Sequence, residues 1–475
     1  MLSNLPGAAF ATIAAIATAP GQGGIGIVRI SGSQALHILQ CLFRPSRDRA
    51  SFAFVPRMLH HGWVHTWQDG ARREPLDEAL AVYMPGPNTV TGEDVAEIHC
   101  HGSPVILAAV LEAAMAAGAK AAERGEFTYR ALHHGKIDLT QAEAVAELIA
   151  SPARQGLCFS LAKLAGLFGE RIRMLRMHVE DLRARVALAV DFPEDEGECL
   201  DLPVFAAVLD EARRSMRALL ATYKRARLWQ EGVLVVMAGR VNVGKSSLLN
   251  ALLGRERAIV SPNPGTTRDF IEEALDIDGL RVRLADTAGL RASEDSIEQE
   301  GVSRSHALAM EADLILMVTE AGCNLDIEEA AFLKQHEAKV LHVLNKADML
   351  LEQQRRDLDA KRTLSGVPCV LVSATTGFGL EFLAEQVRHH VLRRETGMSV
   401  EPSSGDVAPN LRQSQCLRLA LEEADSLTED IQAGMGCDLF SVRLDGMAAH
   451  LDEITGYAAS DAVLEQIFSR FCVGK

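Results

Sequence analysis

Between Val233 and Leu253 the chain has little choice of fold. Val233-Leu-Val-Val-Met-Ala238 is an unbroken apolar run of strand length, Gly239-Arg-Val-Asn-Val-Gly-Lys-Ser246 follows directly, and Ser247-Leu-Leu-Asn-Ala-Leu-Leu253 is helical. Strand, loop and helix in that order are the context that G-x-x-x-x-G-K-[ST] needs to cradle phosphate. Glycines let backbone N–H groups approach phosphate oxygens, and the helix N-terminus adds positive potential. Lys245 is placed to neutralise the β- and γ-phosphates and Ser246 to ligate Mg²⁺, with Asn242, Val243, Gly244 and Ser247 completing the wall. The bare pattern arises by accident in roughly one or two chains per hundred of this size, so its companions decide.

Three companions follow downstream. Asp286-Thr287-Ala288-Gly289 comes after the strand-like Arg281–Ala285; its carboxylate is placed to act on Mg²⁺ and Gly289 to meet the γ-phosphate. Pro264-Gly265-Thr266-Thr267-Arg-Asp269 supplies a switch threonine. Asn345-Lys346-Ala347-Asp348 follows the strand Val340–Leu344, and Ser373-Ala374 is placed to support a base. Asp348 can accept from guanine N1–H and the exocyclic amine, whereas adenine presents the reverse pattern, so the loop selects GTP over ATP. Leu290 stands where Ras-like proteins carry a water-orienting glutamine. Either hydrolysis is slow or another group orients the water. The acidic run Glu294, Asp295, Glu298 and Glu300 offers replacements, set against a plain solvated switch-loop charge.

At 475 residues the chain should form two to four domains. Composition is that of a globular protein, 48% hydrophobic and 24% charged. Nine cysteines with no C-x-x-C spacing point to reduced thiols rather than disulfides or a zinc ribbon. No Lys or Arg precedes the alanine-rich start, which argues against a secretory signal, and no apolar run reaches transmembrane length. The expectation is a soluble, cytoplasmic protein with no membrane partner. A net charge of −16 disfavours generic nucleic-acid binding. Any RNA contact needs a local basic surface, for which Arg171, Arg173, Arg176, Arg183 and Arg185, then Arg213, Arg214, Arg217, Lys224, Arg225 and Arg227, are candidates; the alternative is a solvated helix face.

The first ~120 residues read as short strands and turns with a few helices, including Ile25–Ile30, Ala79–Met84 and the turn Pro85–Asn88. Helical pattern runs from Asp138 to about Leu228, opened by a capping box of Thr140 and Glu143, with Ala142, Val145, Leu148 and Ile149 as its apolar face. Strands and helices alternate from Val233 to Val391 as in a parallel α/β domain. Glu395–Pro409 reads as a linker, and helices resume over Leu411–Leu427 and Ala462–Phe471, so the α/β unit looks inserted into one helical domain. Two other signals are discounted. Gly21-Gln-Gly-Gly-Ile-Gly26 matches G-x-G-x-x-G but precedes a β-branched strand, not a helix. In His99-Cys-His101, strand alternation turns Cys100 away from both histidines, leaving too few metal ligands.

With these motifs in place, the chain resembles the MnmE (TrmE) family of tRNA uridine-modification GTPases nearly end to end. The likeness rests on Pro20-Gly-Gln-Gly-Gly-Ile-Gly-Ile-Val-Arg-Ile-Ser-Gly32, Thr91-Gly-Glu-Asp-Val95, His101-Gly102, Gly125-Glu-Phe-Thr128, Lys136-Ile-Asp-Leu-Thr-Gln-Ala-Glu-Ala144, the nucleotide motifs and the tail Phe471-Cys-Val-Gly-Lys475. The resemblance implies a multidomain α/β and α+β protein. An N-terminal α+β folate-binding and dimerisation domain (1–134) would be followed by a helical domain (135–228 and 393–475) carrying an inserted P-loop GTPase domain (229–392). It implies a homodimer that works on tRNA with an FAD-dependent MnmG-type partner in a heterotetramer. Together they would add an aminomethyl or carboxymethylaminomethyl group at carbon 5 of the wobble uridine, using 5-formyltetrahydrofolate or a related tetrahydrofolate.

By the same resemblance Asn242 looks like a K⁺-ligating asparagine, completed by Ser261, Asn263 and Thr266 within the run Ser261-Pro262-Asn263-Pro264, while Thr267 serves Mg²⁺. A monovalent cation there can take an arginine finger's electrostatic part. Glu298 aligns with the glutamate that orients the attacking water, which makes Glu298, Lys245 and Thr267 the catalytic set. For folate the aligned positions are Arg29, Glu97, Lys136 and Lys475, and Cys472 matches the family's tail cysteine. Gln22, Val90 and Arg124 depart from the family pattern at arginine, aromatic and proline positions around that pocket. The competing class is a GTP-dependent RNA-assembly switch, which has no need of an N-terminal folate block or a cysteine tail.

Overall fold

The structure is a computed structural model. It describes residues 10–46, 52–151, 154–191, 200–230, 232–255, 272–286, 310–360, 363–364, 366–396, 405–457 and 459–475. The chain divides into two compact units: Met1–Ile149 with Lys163–Arg214 and Gln415–Lys475, and Ala150–Ala162 with Ser215–Ser414.

In the first unit seven strands form one sheet: β1 (Ile13–Ile16), β2 (Gly23–Ser31), β3 (Phe43–Pro45), β4 (His60–Gln68), β5 (Ala71–Met84), β6 (Val95–Gly102) and β7 (Lys120–Ala121), in the order β3-β4-β5-β6-β2-β1-β7. All pairings are antiparallel except β1 with β7. Period-two alternation sends Val28, Ile30, Val64, Ala79, Ala81, Ala96, Ile98 and Cys100 into a core shared with helices Ala35–Leu42 and Pro104–Ala116. Each fully buried Val, Leu or Ile there contributes about 1.5–3 kcal/mol. The strands are longer than their sequence pattern suggests: β5 runs 14 residues, and Asp69-Gly70, both at positive φ, turn β4 into β5. β2 begins at Gly23, inside Gly21–Gly26, and no helix follows the glycines, so the dinucleotide reading fails as expected.

The helical part of this unit packs Leu167–Asp191 along Cys437–Thr455, burying Ile172, Leu175, Val179, Leu182 and Val186 on one helix and Leu444, Met447, Leu451 and Ile454 on the other. Cys437–Thr455 is absent from the sequence reading. The cap of Leu139–Ala150 also differs from expectation. Asp138 and Gln141 form the reciprocal pair, with Gln141 N donating to Asp138 Oδ1 at 2.9 Å and Asp138 N to Gln141 Oε1 at 3.0 Å. Thr140 instead donates to Asp138, and Glu143 is buried inside the helix. Asp138 wins because it stands one residue before the first helical position, where its carboxylate accepts from the otherwise unsatisfied Gln141 N–H and from the Thr140 hydroxyl. Ile149, expected on the apolar face, is 50% exposed.

The basic candidates for RNA are largely matched within the chain. Arg176 pairs with Glu180 and Asp452, Arg183 with Glu180 and Asp445, Arg185 with Asp181, and Arg213 with Asp210 and Asp425. Arg214, Arg225 and Arg227 pair with Glu211, Asp406 and Asp313. These ion pairs favour the solvated-helix alternative for the arginines that make them.

The second unit holds another seven-stranded sheet, β8 (Val233–Ala238), β9 (Glu272–Ile277), β10 (Leu280–Asp286), β11 (Leu314–Glu320), β12 (Val340–Asn345), β13 (Thr363–Leu364) and β14 (Val367–Leu371), ordered β13-β14-β12-β11-β8-β10-β9. β8, β10, β11, β12 and β14 are parallel; β9 and β13 are antiparallel edges. Both faces are covered, which is why these strands read as continuous apolar runs. Val233, Val235, Met237, Leu316 and Val318 enter one core, Leu234, Val236, Ile315 and Met317 the other. Phe159 and Ala408 join the first core. Of the expected linker, 397–404 lies outside the described residues, while Val407 and Ala408 are buried. The architecture is therefore the expected one: an α+β sheet domain, a helical part and a parallel α/β domain.

Candidate functional site

β8 lies between β10 and β11, so the sheet's connections diverge there and open a crevice at the carboxyl ends of the strands. The loop after β8 enters that crevice. Gly239 has φ +138°, and a Cβ there would stand 2.1 Å from the Val318 carbonyl oxygen, so only glycine lets the loop leave the sheet. Asn242 also adopts a left-handed φ of +65°. Lys245 is buried at the start of helix Lys245–Arg255, and its Nζ donates to the carbonyls of Gly239 at 2.7 Å and Arg240 at 2.6 Å. The loop is thus curled around its own ammonium, with Ser246 and Ser247 exposed in the first helical turn. Asp286 ends β10 in register with Met237 of β8, which brings its backbone to the same edge.

The segment expected to read the base is knitted to this loop. Asn345, at the end of β12, donates from Nδ2 to Val243 O at 2.9 Å and accepts at Oδ1 from Ala374 N at 3.1 Å. Lys346 takes a left-handed φ of +67° and its Nζ meets Glu320 Oε2 at 2.7 Å. Ala347 N donates to Val372 O, and Ser373 Oγ donates to Asp348 Oδ1 at 2.5 Å, orienting the carboxylate that would accept from guanine. Asn242, Val243, Gly244, Lys245, Ser246 and Ser247 are therefore assembled with Asn345, Lys346, Ala347, Asp348, Ser373 and Ala374. Such an arrangement offers one ammonium and backbone donors to a polyphosphate and an acceptor pair to a purine. Ser261, Pro262, Asn263, Pro264, Gly265, Thr266, Thr267, Thr287, Ala288, Gly289, Leu290, Glu294, Asp295, Glu298 and Glu300 lie outside the described residues. Sequence reasoning missed Glu320, whose signal is its place at the end of the neighbouring parallel strand.

A second group sits on the sheet face of the first unit opposite its helices. β2 and β6 pair Arg29 directly with Glu97, and Arg29 Nε donates to Glu97 Oε1 at 2.8 Å. His99 Nε2 meets Glu97 Oε2 at 3.1 Å. That imidazole contact first, aided by the Arg29 guanidinium, holds the Glu97 carboxyl below the usual carboxylate range despite its burial. Arg29 stacks over Phe127 at 5.8 Å, and Phe127 N donates to Lys475 O at 3.2 Å. The tail reaches this position because Val473 bridges to Arg124. Gly474 (φ +92°) passes so close to β1 that a Cβ would stand 2.2 Å from Ile16 O. Arg29, Glu97 and Lys475 are thereby connected through Phe127. Lys136 makes its hydrogen bonds elsewhere, to the carbonyls of Pro87 at 3.1 Å and Thr89 at 2.6 Å. Sequence reasoning missed His99 as a partner of Glu97, although period two places both on one strand face. Cys100 is buried on the opposite face, and among the described residues no cluster of ligating side chains could hold a metal.

Two family descriptions match: "GTP-binding protein TrmE N-terminus" over residues 12–136 and "MnmE helical domain" over residues 139–472. A protein of Nitratidesulfovibrio vulgaris described as tRNA modification GTPase MnmE is 52% identical over 465 residues, 98% of this chain and 99% of that one. One of the same description from Lawsonia intracellularis is 42% identical over 466 residues, with 98% and 99% covered. Among solved structures, the G domain of the T. maritima FeoB iron transporter matches at 30% identity over 33% of this chain and 98% of that one, with a TM-score of 0.25.

Proposed function

The chain belongs to the MnmE (TrmE) family of tRNA modification GTPases and is a GTP hydrolase, and on that premise we propose how it works. In this reading a homodimer acts in the cytoplasm with an FAD-dependent MnmG-type partner on tRNA. It adds an aminomethyl or carboxymethylaminomethyl group at carbon 5 of the wobble uridine, and a tetrahydrofolate such as 5-formyltetrahydrofolate supplies the carbon. Residues 229–392 are the GTPase domain, inserted between helical segments 135–228 and 393–475, and residues 1–134 are the folate-binding and dimerisation domain.

The observation that carries the nucleotide part is the Asn345 side chain, which bridges the phosphate loop and the base-supporting loop through Val243 and Ala374. GTP bound here would displace the Gly239 and Arg240 carbonyls from Lys245, whose ammonium then neutralises the β/γ-phosphates. The exposed hydroxyl of Ser246, with Thr267 and Asp286, suits Mg²⁺; Asn242, with Ser261, Asn263 and Thr266, suits K⁺. The two cations supply charge neutralisation where phosphate charge develops. Glu298 takes the water-orienting part that Leu290 cannot. Arg29, Glu97 and His99 support the folate part: a carboxylate kept ionised beside a guanidinium can accept from a pterin's N–H groups while the cation side meets a carboxylate.

Mass spectrometry of tRNA nucleosides from a strain lacking this gene tests the reading. Loss of the 5-substituted wobble uridines is expected, restored by the wild-type gene; unchanged wobble uridines would overturn it.

A further inference from the structure

Arg240 occupies the first variable position of the phosphate loop, and the nucleotide chemistry above gives it no task. Its side chain ion-pairs with Asp326 Oδ2, and its Nε lies 3.4 Å from Glu329 Oε1. These two carboxylates are the reciprocal caps of helix Ile327–Gln335. Asp326 Oδ1 accepts from Glu329 N at 2.6 Å, and Glu329 Oε2 accepts from Asp326 N at 3.1 Å. Each carboxylate therefore spends one oxygen on the helix cap and presents the other to the guanidinium. The Glu329 side chain is only 9% exposed, so its charge depends on a nearby cation more than a surface carboxylate would. Meanwhile the Arg240 carbonyl points the other way, accepting from Lys245 Nζ. Side chain outward and carbonyl inward, Arg240 is clamped at both ends.

We propose that Arg240, Asp326 and Glu329 form a latch that fastens the phosphate loop to the N-terminus of helix Ile327–Gln335 and so positions the loop for nucleotide. Arg240 is a positioning residue. It touches no phosphate, but it fixes the peptide that follows Gly239 and with it the direction in which the next N–H groups of the loop point. Without the latch the loop's first turn rotates more freely, and each nucleotide-bound state must order it again, a cost that appears in binding rather than in the bond-breaking step.

This inference rests on the GTPase reading, and the test separates the two. Release of fluorescent GDP and steady-state GTP turnover are measured for the full chain as wild type, Arg240→Ala, Asp326→Asn/Glu329→Gln, and the three substitutions combined. Asn and Gln each retain one side-chain oxygen that can accept the cap hydrogen bond while removing both charges, so the double variant stays folded even if Arg240→Ala does not. GDP release about three- to tenfold faster and a KM for GTP raised by a similar factor are expected in both, with kcat at saturation nearly unchanged. The combined variant should be no worse than either, because one interaction is lost in all three. Wild-type behaviour of both partial variants overturns the latch, as does a defect confined to Arg240→Ala, which would put the guanidinium on the nucleotide itself. Absence of GDP uptake by the wild-type chain overturns the GTPase reading instead.

Discussion

His342 sits in the middle of β12 with no solvent exposure, its Nε2 2.8 Å from Thr319 Oγ1 of β11 and its Nδ1 without a hydrogen-bond partner. Burial alone pushes its pKa down to about 4, so the folded chain keeps the ring neutral through the pH range in which an unfolded chain, at about 6.5, takes up a proton. Stability from this group is therefore flat above pH 6.5 and declines as pH falls from there towards 4. Between pH 7.5 and 5.0 the wild type should lose about 2 kcal/mol more than His342→Gln in urea unfolding. Parallel losses in the two proteins would show that the ring is not held neutral. Nothing in Val340-Leu-His-Val-Leu344 reveals this: the run reads as a strand, but whether its histidine faces water or core depends on which strands flank it.

At the scale of elements, the C-terminal tail illustrates what a short segment can determine. Residues Cys472–Lys475 are held against the N-terminal sheet by the Arg124–Val473 bridge and by the amides of Gly125 and Phe127, which donate to Cys472 O at 3.4 Å and Lys475 O at 3.2 Å. Gly474 permits this only because it lacks a Cβ that would strike Ile16 O. Gly474→Ala should lift the tail from β1. Under the folate reading, calorimetric affinity for 5-formyltetrahydrofolate then falls by about tenfold or more, while affinity for GDP stays at the wild-type level. Unaltered folate affinity would detach the tail from that pocket. The motif Phe471-Cys-Val-Gly-Lys475 was legible as a signature, but its docking partner was not. A tail pairs with whatever edge the fold presents, and here that edge is more than three hundred residues away in sequence. The Leu139–Ala150 cap shows a smaller version of the same limit. Two overlapping patterns, Asp138 with Gln141 and Thr140 with Glu143, both satisfied the capping rule, and only the backbone's actual starting point chose between them.

For the whole molecule the proposal ties hydrolysis to K⁺. GTP turnover of the full-length chain in K⁺ buffer should exceed that in Na⁺ buffer of equal ionic strength by about tenfold or more, since a cation in the arginine finger's place carries a large share of transition-state stabilisation. Equal turnover in the two salts would remove Asn242 from cation binding. The order of strand, phosphate loop and helix, the motif Asn345–Asp348 and the class of each domain were determined by sequence alone, because they rest on local periodicity, glycine placement and motif spacing that no distant contact can alter. Tertiary structure alone decided that Arg240 pairs with Asp326 and Glu329, that His99 steadies Glu97, and that Phe127 links Arg29 to Lys475. It also decided that most of the basic helix face is matched by carboxylates. Apart from Glu97 and His99, which lie two residues apart on one strand, those are pairings between groups far apart in the chain. Sequence shows the charges available, but a charge's partner is whichever opposite group the packing of strands and helices brings within a few ångströms.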